Sequence, residues 1–186
     1  MTAAVDRPAA IRKALRNLVA ERGFHGASMG AVAKGAGVAT GTAYVHYESK
    51  EELVYATYLE LKAELSAAVL ADFDETATPF AAWRHILTTA YEYLADEPER
   101  ARFLTQLEES PYYEEAHSRL MAADDPLYNA AAAEEFASLL VPLPTEAIYA
   151  LSFGVAVRLI AAGVHLEPEE VDLLVEATWR AVTRPE

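Results

Sequence analysis

Residues 21–54 read ERGFHGASMGAVAKGAGVATGTAYVHYESKEELV, and the order of helix breakers and apolar residues in this stretch decides the fold. Gly23 ends a first helix that spans about Pro8 to Arg22. Its Ile11, Leu15, Leu18 and Val19 make one apolar stripe, onto which Phe24 is expected to pack back. Ser28 is a good N-cap for a second helix reaching Ala36, with Met29, Val32 and Ala33 inward. Gly37 supplies a sharp turn, and a short third helix follows from about Thr40 to Val45. Ser49-Lys50-Glu51-Glu52 predicts a capping box, Glu52 reaching back to the cap, at the start of a fourth helix that runs towards Leu70. Two short helices around a glycine turn, after a longer first helix, are what a helix-turn-helix needs.

In such a motif the second short helix enters the major groove of DNA, led by its N-terminal residues. Here these are Thr40, Gly41 and Thr42, small enough for close approach. The two hydroxyls suit base edges or phosphates, and a threonine methyl suits the thymine methyl. Tyr44 and His46 lie near the helix end, within expected reach of phosphate oxygens. Lys50 adds positive charge at the start of the fourth helix.

The same stretch resembles the TetR (tetracycline-repressor-like) family. The carriers are Glu21-Arg22-Gly23-Phe24, Ala33, Ala36-Gly37-Val38, Gly41-Thr42, Tyr44, His46-Tyr47 and Ser49-Lys50-Glu51. The resemblance implies DNA contacts from Ser28, Met29 and Gly30 at the start of the second helix, and from Thr40, Gly41 and Thr42 at the start of the third. It places Tyr44, His46 and Lys50 on the backbone. Met29 fits a core position as well as a contact, and Tyr47 stands as a core residue where the family usually has Phe. Three positions depart from the pattern. Gly30 has no side chain where an arginine or threonine often reaches a base, and Ala43 replaces a bulky core residue. Ala39 replaces the usual serine cap, which asks Thr40 to cap as well as to read DNA. Base readout is therefore expected to be thin, with more reliance on DNA shape.

Composition fits this expectation once it is divided. The 186 residues carry a net charge of −14. Residues 1–50 hold seven Lys/Arg and three Asp/Glu, a net +4, and residues 51–186 hold eight and twenty-six, a net −18. Phosphate contact falls to the first part only. The absence of cysteine excludes disulfides and thiolate-ligated metals. No cofactor or metal site is expected. Gly35-Ala36-Gly37-Val38-Ala39-Thr40-Gly41 imitates a dinucleotide loop but follows a helix, not a strand. Glu114-x-x-His117 is one copy of a di-iron spacing that needs two. No nucleophile elbow or zinc-protease motif is present, so no enzyme is expected. Residues 1–23 lack the apolar core of a signal peptide. Ala147 to Val164 is too short for a membrane span and contains Arg158, so a buried helix and a cytoplasmic protein are expected.

Beyond the motif, apolar spacing of three to four and prolines in first-turn positions predict an all-α chain of about nine to ten helices. The domains are a helix-turn-helix unit over 1–53 and a ligand-binding and dimerisation domain over 54–186. Resemblance implies a small-molecule pocket in the latter, with Trp83, Tyr91, Phe103 and Gln106 the preferred lining. Arg84, Arg100, Arg102, Arg119 and Arg158 are the few candidates for holding an anion, so a hydrophobic or cationic effector is expected. A helix over 144–164 presents Ala147, Leu151, Gly154, Val155 and Leu159, and one over 168–183 adds Val171, Leu174, Val175 and Trp179. These form the expected homodimer interface. The expected function is a homodimeric repressor of a pseudo-palindromic double-stranded operator, released by a small hydrophobic molecule. The rivals are a helical binding protein or enzyme with no DNA role, and a regulator without a ligand.

Overall fold

The computed structural model describes residues 6–74, 76–127, 129 and 134–184, and these are helical almost throughout. They form two compact units, Met1–Lys62 with Arg102–Ala123, and Ala63–Ala101 with Asp124–Glu186. The division at 53/54 follows the motif, whereas compactness follows a different line, because residues 102–123 belong with the N-terminal helices.

In the first unit, α1 spans Arg7–Gly26. The Asp6 carboxylate caps it by accepting from the Ala9 amide at 3.2 Å, and Pro8 sits in the first turn, where a missing N–H costs nothing. Gly23, at φ 67° and ψ 176°, breaks the helix, and one more turn follows. That left-handed conformation is what glycine is there to supply. The Phe24 ring that follows sits 6.0 Å from Phe103 and 5.0 Å from Tyr112. α2 (Met29–Gly35) buries Met29, Val32 and Ala33, as their spacing predicts. Gly37, at φ 69°, turns the chain into α3 (Thr40–His46), whose Ala43 is fully buried. α4 runs unbroken over Lys50–Leu70.

The expected capping box is half made. The Ser49 hydroxyl accepts from the Glu52 amide at 3.1 Å. The Glu52 carboxylate turns instead to Arg119 on α7 (Tyr113–Ala122) and takes two bonds of 2.8 Å. A bidentate, charge-assisted pair outcompetes a single amide. Arg119 also meets Glu115 at 2.8 Å and lies 4.2 Å from the Tyr55 ring centroid. α6 (Pro98–Glu108) brings Phe103 and Leu107 inward.

In the second unit, α5 (Pro79–Asp96) is capped by Thr78 and packs against α11 (Pro168–Val182). Trp83, Leu87, Val175 and Val182 form the core. The Trp83 indole N–H donates to the Thr178 hydroxyl at 3.3 Å, so the one polar atom of that ring is satisfied. α8 (Glu134–Ala137) adds Phe136, stacked on Trp83 at 5.9 Å. The single helix expected over 144–164 is two, α9 (Thr145–Leu151) and α10 (Phe153–Ala161). Ser152, at φ −124° and ψ −103°, breaks it, and its hydroxyl donates back to the Ile148 carbonyl at 2.6 Å. Gly154 permits the bend, since a Cβ there would lie 3.0 Å from the Tyr149 carbonyl oxygen. Among the described residues no helix is long and apolar enough to cross a membrane.

Two outcomes are expected. Phe24→Ala lowers stability by about 3–5 kcal/mol, the usual cost of removing a buried phenyl ring, measured by urea unfolding; a loss below about 1 kcal/mol would contradict the packing role. Arg119 also holds the Glu52 carboxyl below the ordinary carboxylate range, chiefly through its hydrogen bonds. The pair therefore favours the folded state at neutral pH and loses that effect as acid protonates Glu52 in the folded chain. Carboxyl NMR titration should find Glu52 protonating at lower pH in the native protein than in Arg119→Ala.

Candidate nucleic-acid interface

The face of α3 follows from two buried residues. Ala43 and Tyr47, four apart, point inward, which turns the residues between them and before them outward. Tyr44 is 52% exposed and Val45 81% exposed. Thr40, Gly41 and His46 are exposed, and Thr42 is half-buried. Thr40 does not cap the helix. Ala39 holds the N-cap position without a side-chain bond, which leaves the Thr40 hydroxyl outside the capping geometry. The start of α2 lies alongside, because a Cβ at Gly30 would find the Thr40 hydroxyl as its nearest neighbour, at 4.0 Å. A Cβ at Gly41 would meet nothing within 4 Å. Gly30, Thr40 and Gly41 thus line an open, shallow surface.

The other expected contact residues are placed unevenly. The Ser28 hydroxyl accepts from the Ala31 amide at 3.2 Å and so serves as the α2 cap. Met29 is 7% exposed and belongs to the core, leaving Gly30 as the outward residue of that turn. Lys50 donates to the Phe24 carbonyl and lies 6.0 Å from the centroid of the Phe24 ring. Burial pushes its ammonium below the ordinary lysine range. One of its three protons is committed inside the protein.

Val45 is the surface residue that the motif alone does not mark. Its signal is geometric: two positions after Ala43 and two before Tyr47, it lies on the opposite side of the helix from both. An exposed branched side chain on a recognition helix suits contact with a thymine methyl.

The four residues expected to line a pocket have distinct surroundings. Trp83 belongs to the core described above, and the buried Tyr91 hydroxyl accepts from the Leu166 amide at 2.7 Å. Both lie in the second unit. Phe103 and Gln106 lie in the first, where Phe103 is fully buried against Phe24 and Gln106 is exposed. Of the expected dimer residues, Gly154, Val171 and Val175 are buried within the chain, and Leu174 and Trp179 pack on the Trp83 cluster. Ala147, Val155 and Leu159 are half-buried, and Leu151 is exposed. The break at Ser152 means that these do not form one straight stripe. Leu173, on α11, is 65% exposed and was not among them.

Residues 11–57 match the model of the family described as bacterial regulatory proteins, tetR family. An uncharacterized HTH-type transcriptional regulator of Haemophilus influenzae is 27% identical over 98% of each chain. The fatty acid metabolism regulator protein of Bacillus subtilis is 30% identical over 49% of this chain and 46% of its own. The crystal structure of a TetR family transcription regulator from Marinobacter aquaeolei superposes with a TM-score of 0.82, 25% identity and 96% coverage of each chain. Residues 11–57 thus match the helix-turn-helix segment of the tetR family of bacterial regulatory proteins, and the chain as a whole shares the all-α fold of solved TetR-family regulators.

Proposed function

We propose that the protein is a homodimeric repressor of a pseudo-palindromic operator, released by a small hydrophobic molecule. The observation that carries the DNA-binding part is the row Thr40, Gly41, Tyr44, Val45 and His46, turned outward on α3. The basic charge of residues 1–50 supports the same assignment. Tyr44, His46 and any free Lys50 protons hold phosphates, while Thr40, Thr42 and Val45 face base edges. In a two-fold dimer the two α3 helices meet successive major grooves ~34–36 Å apart.

Dimer formation draws on the apolar residues that the chain leaves outside its own core. Leu173 with Ala177 and Ala181 repeats every four residues along α11, and Leu151, Val155 and Leu159 supply more apolar surface on α9 and α10. For the effector, the arginines that would receive an anion are largely paired. Arg84 meets Asp172 at 2.7 Å, Arg100 lies near Asp96 and Glu97, and Arg119 holds Glu52 and Glu115. This favours a hydrophobic molecule, in keeping with the name of the Bacillus subtilis relative. The unbroken α4 carries the response, since it starts beside α3 and continues into the second unit. Release requires the effector to prefer the DNA-incompetent state, by a coupling of ~1–3 kcal/mol.

Selection from a random duplex library, followed by gel shift, tests the proposal. The wild-type protein should prefer the selected duplex over a scrambled one. Tyr44→Ala should weaken binding about ten-fold, a loss of ~1.4 kcal/mol, with an unchanged salt slope, since a neutral phenol displaces no counterion from a phosphate. Val45→Ala should instead relax preference at one base position, on the order of 1 kcal/mol. Equal affinity for selected and scrambled duplexes would sink the regulator assignment. A thermal-shift screen that sets neutral hydrophobic compounds against anionic ones checks the effector class, since a ligand that binds only the folded state raises its apparent stability.

A further inference from the structure

We infer that Tyr47 is a positioning residue for the recognition helix, and that Arg12 and Glu60 act through its hydroxyl to fix the end of α3. This rests on the DNA-binding role proposed for α3. The ring of Tyr47 is 8% exposed, as a Phe at this position would be. The hydroxyl is the addition, and a hydroxyl taken out of water needs partners. It has two. It accepts from an Nη of Arg12 at 2.5 Å and donates to the Pro8 carbonyl at 3.3 Å. The other Nη of Arg12 is bound to the Glu60 carboxylate. Pro8 and Arg12 belong to α1, Glu60 to α4, and Tyr47 closes α3, so one chain of polar contacts ties three helices together.

The need for such a tie comes from α3 itself. It has seven residues, too few to hold a helix without outside support. No side chain caps its start. Its inward residues are Ala43, which has little surface to grip, and Tyr47. The direction in which Tyr44, Val45 and His46 point is therefore set by packing on α2 together with the hold of Tyr47.

Arg12 changes meaning as a result. In the sequence it is one of the seven cations of residues 1–50. In the structure its charge is matched by Glu60, and its side chain and that of Glu60 are only 19% and 22% exposed. Glu60 holds the guanidinium firmly in its charged form, through its hydrogen bond above all. Arg12 thus contributes to DNA binding by holding Tyr47.

Tyr47→Phe tests this, because it removes the hydroxyl and keeps the ring. The variant should keep native helicity and a Tm within a few degrees of wild type. Its affinity for the selected duplex should fall about five- to ten-fold, with an unchanged salt slope. Amide exchange without DNA should quicken in α3 and stay unchanged in the middle of α1. Glu60→Gln should cause a similar loss, and the double variant little more, since both act through one network. Unchanged affinity together with unchanged α3 exchange in Tyr47→Phe would overturn the inference. So would an Arg12→Gln variant whose salt slope falls by about 0.9, the mark of a direct phosphate contact. Should the wild-type protein select no duplex, the regulator assignment fails on that result, while the exchange rates of α3 still decide the role of Tyr47.

Discussion

The first compact unit closes on Phe24. The left-handed turn at Gly23 comes just before this residue, whose ring and carbonyl both meet other elements of the unit. The ring meets Phe103 from α6 and Tyr112 from the following turn, and the carbonyl takes the Lys50 ammonium from the start of α4. A helix end leaves carbonyls without partners, and a cation is a good answer to them. Lys50 gives that answer at the cost of some of its own hydration. The interaction fixes where α4 begins relative to α1, and so where the α2–α3 pair is held between them.

Much of this was legible in residue order. The caps at Ser28, Ser49 and Thr78, the turn at Gly37 and the first-turn prolines mark helix boundaries by local chemistry, which needs no tertiary information. The outward placement of Tyr44 and His46 follows from helical spacing alone. What local chemistry could not supply was the partner of each polar group. Glu52 prefers Arg119, sixty-seven residues away, to its own cap. Ser28 and Lys50, counted as groups for DNA, are engaged by the Ala31 amide and the Phe24 carbonyl. The break at Ser152 was hidden for a different reason: an apolar run with good spacing looks like one helix, and a serine hydroxyl bonded to the previous turn leaves no signature in that pattern.

The charge division of the chain acquires a finer grain from the same facts. A net positive segment suggests a broad adhesive surface. The structure spends Arg12 on Glu60 and Lys50 on a carbonyl, so positive side chains are partly structural even within residues 1–50. The outward row on α3 is short and made of hydroxyls, a phenol, an imidazole and one apolar side chain. Such a surface gains more from shape and close approach than from charge density. The open space beside Gly30 and Gly41 fits that balance.

The discontinuity of the first unit has an evolutionary side. The recognition motif is a continuous stretch of about fifty residues, the natural piece to exchange between relatives in order to re-address a regulator to new genes. Here that piece does not bring its own lid. Phe103, Tyr112 and Arg119 come from residues 102–123, well inside the part of the chain that such an exchange would leave behind. A graft cut at the motif boundary would set a foreign Phe24 pocket and a foreign partner for Glu52 beneath the new head. A graft that keeps these contacts has to carry two separated segments together, or join parents that already share the residues under Phe24.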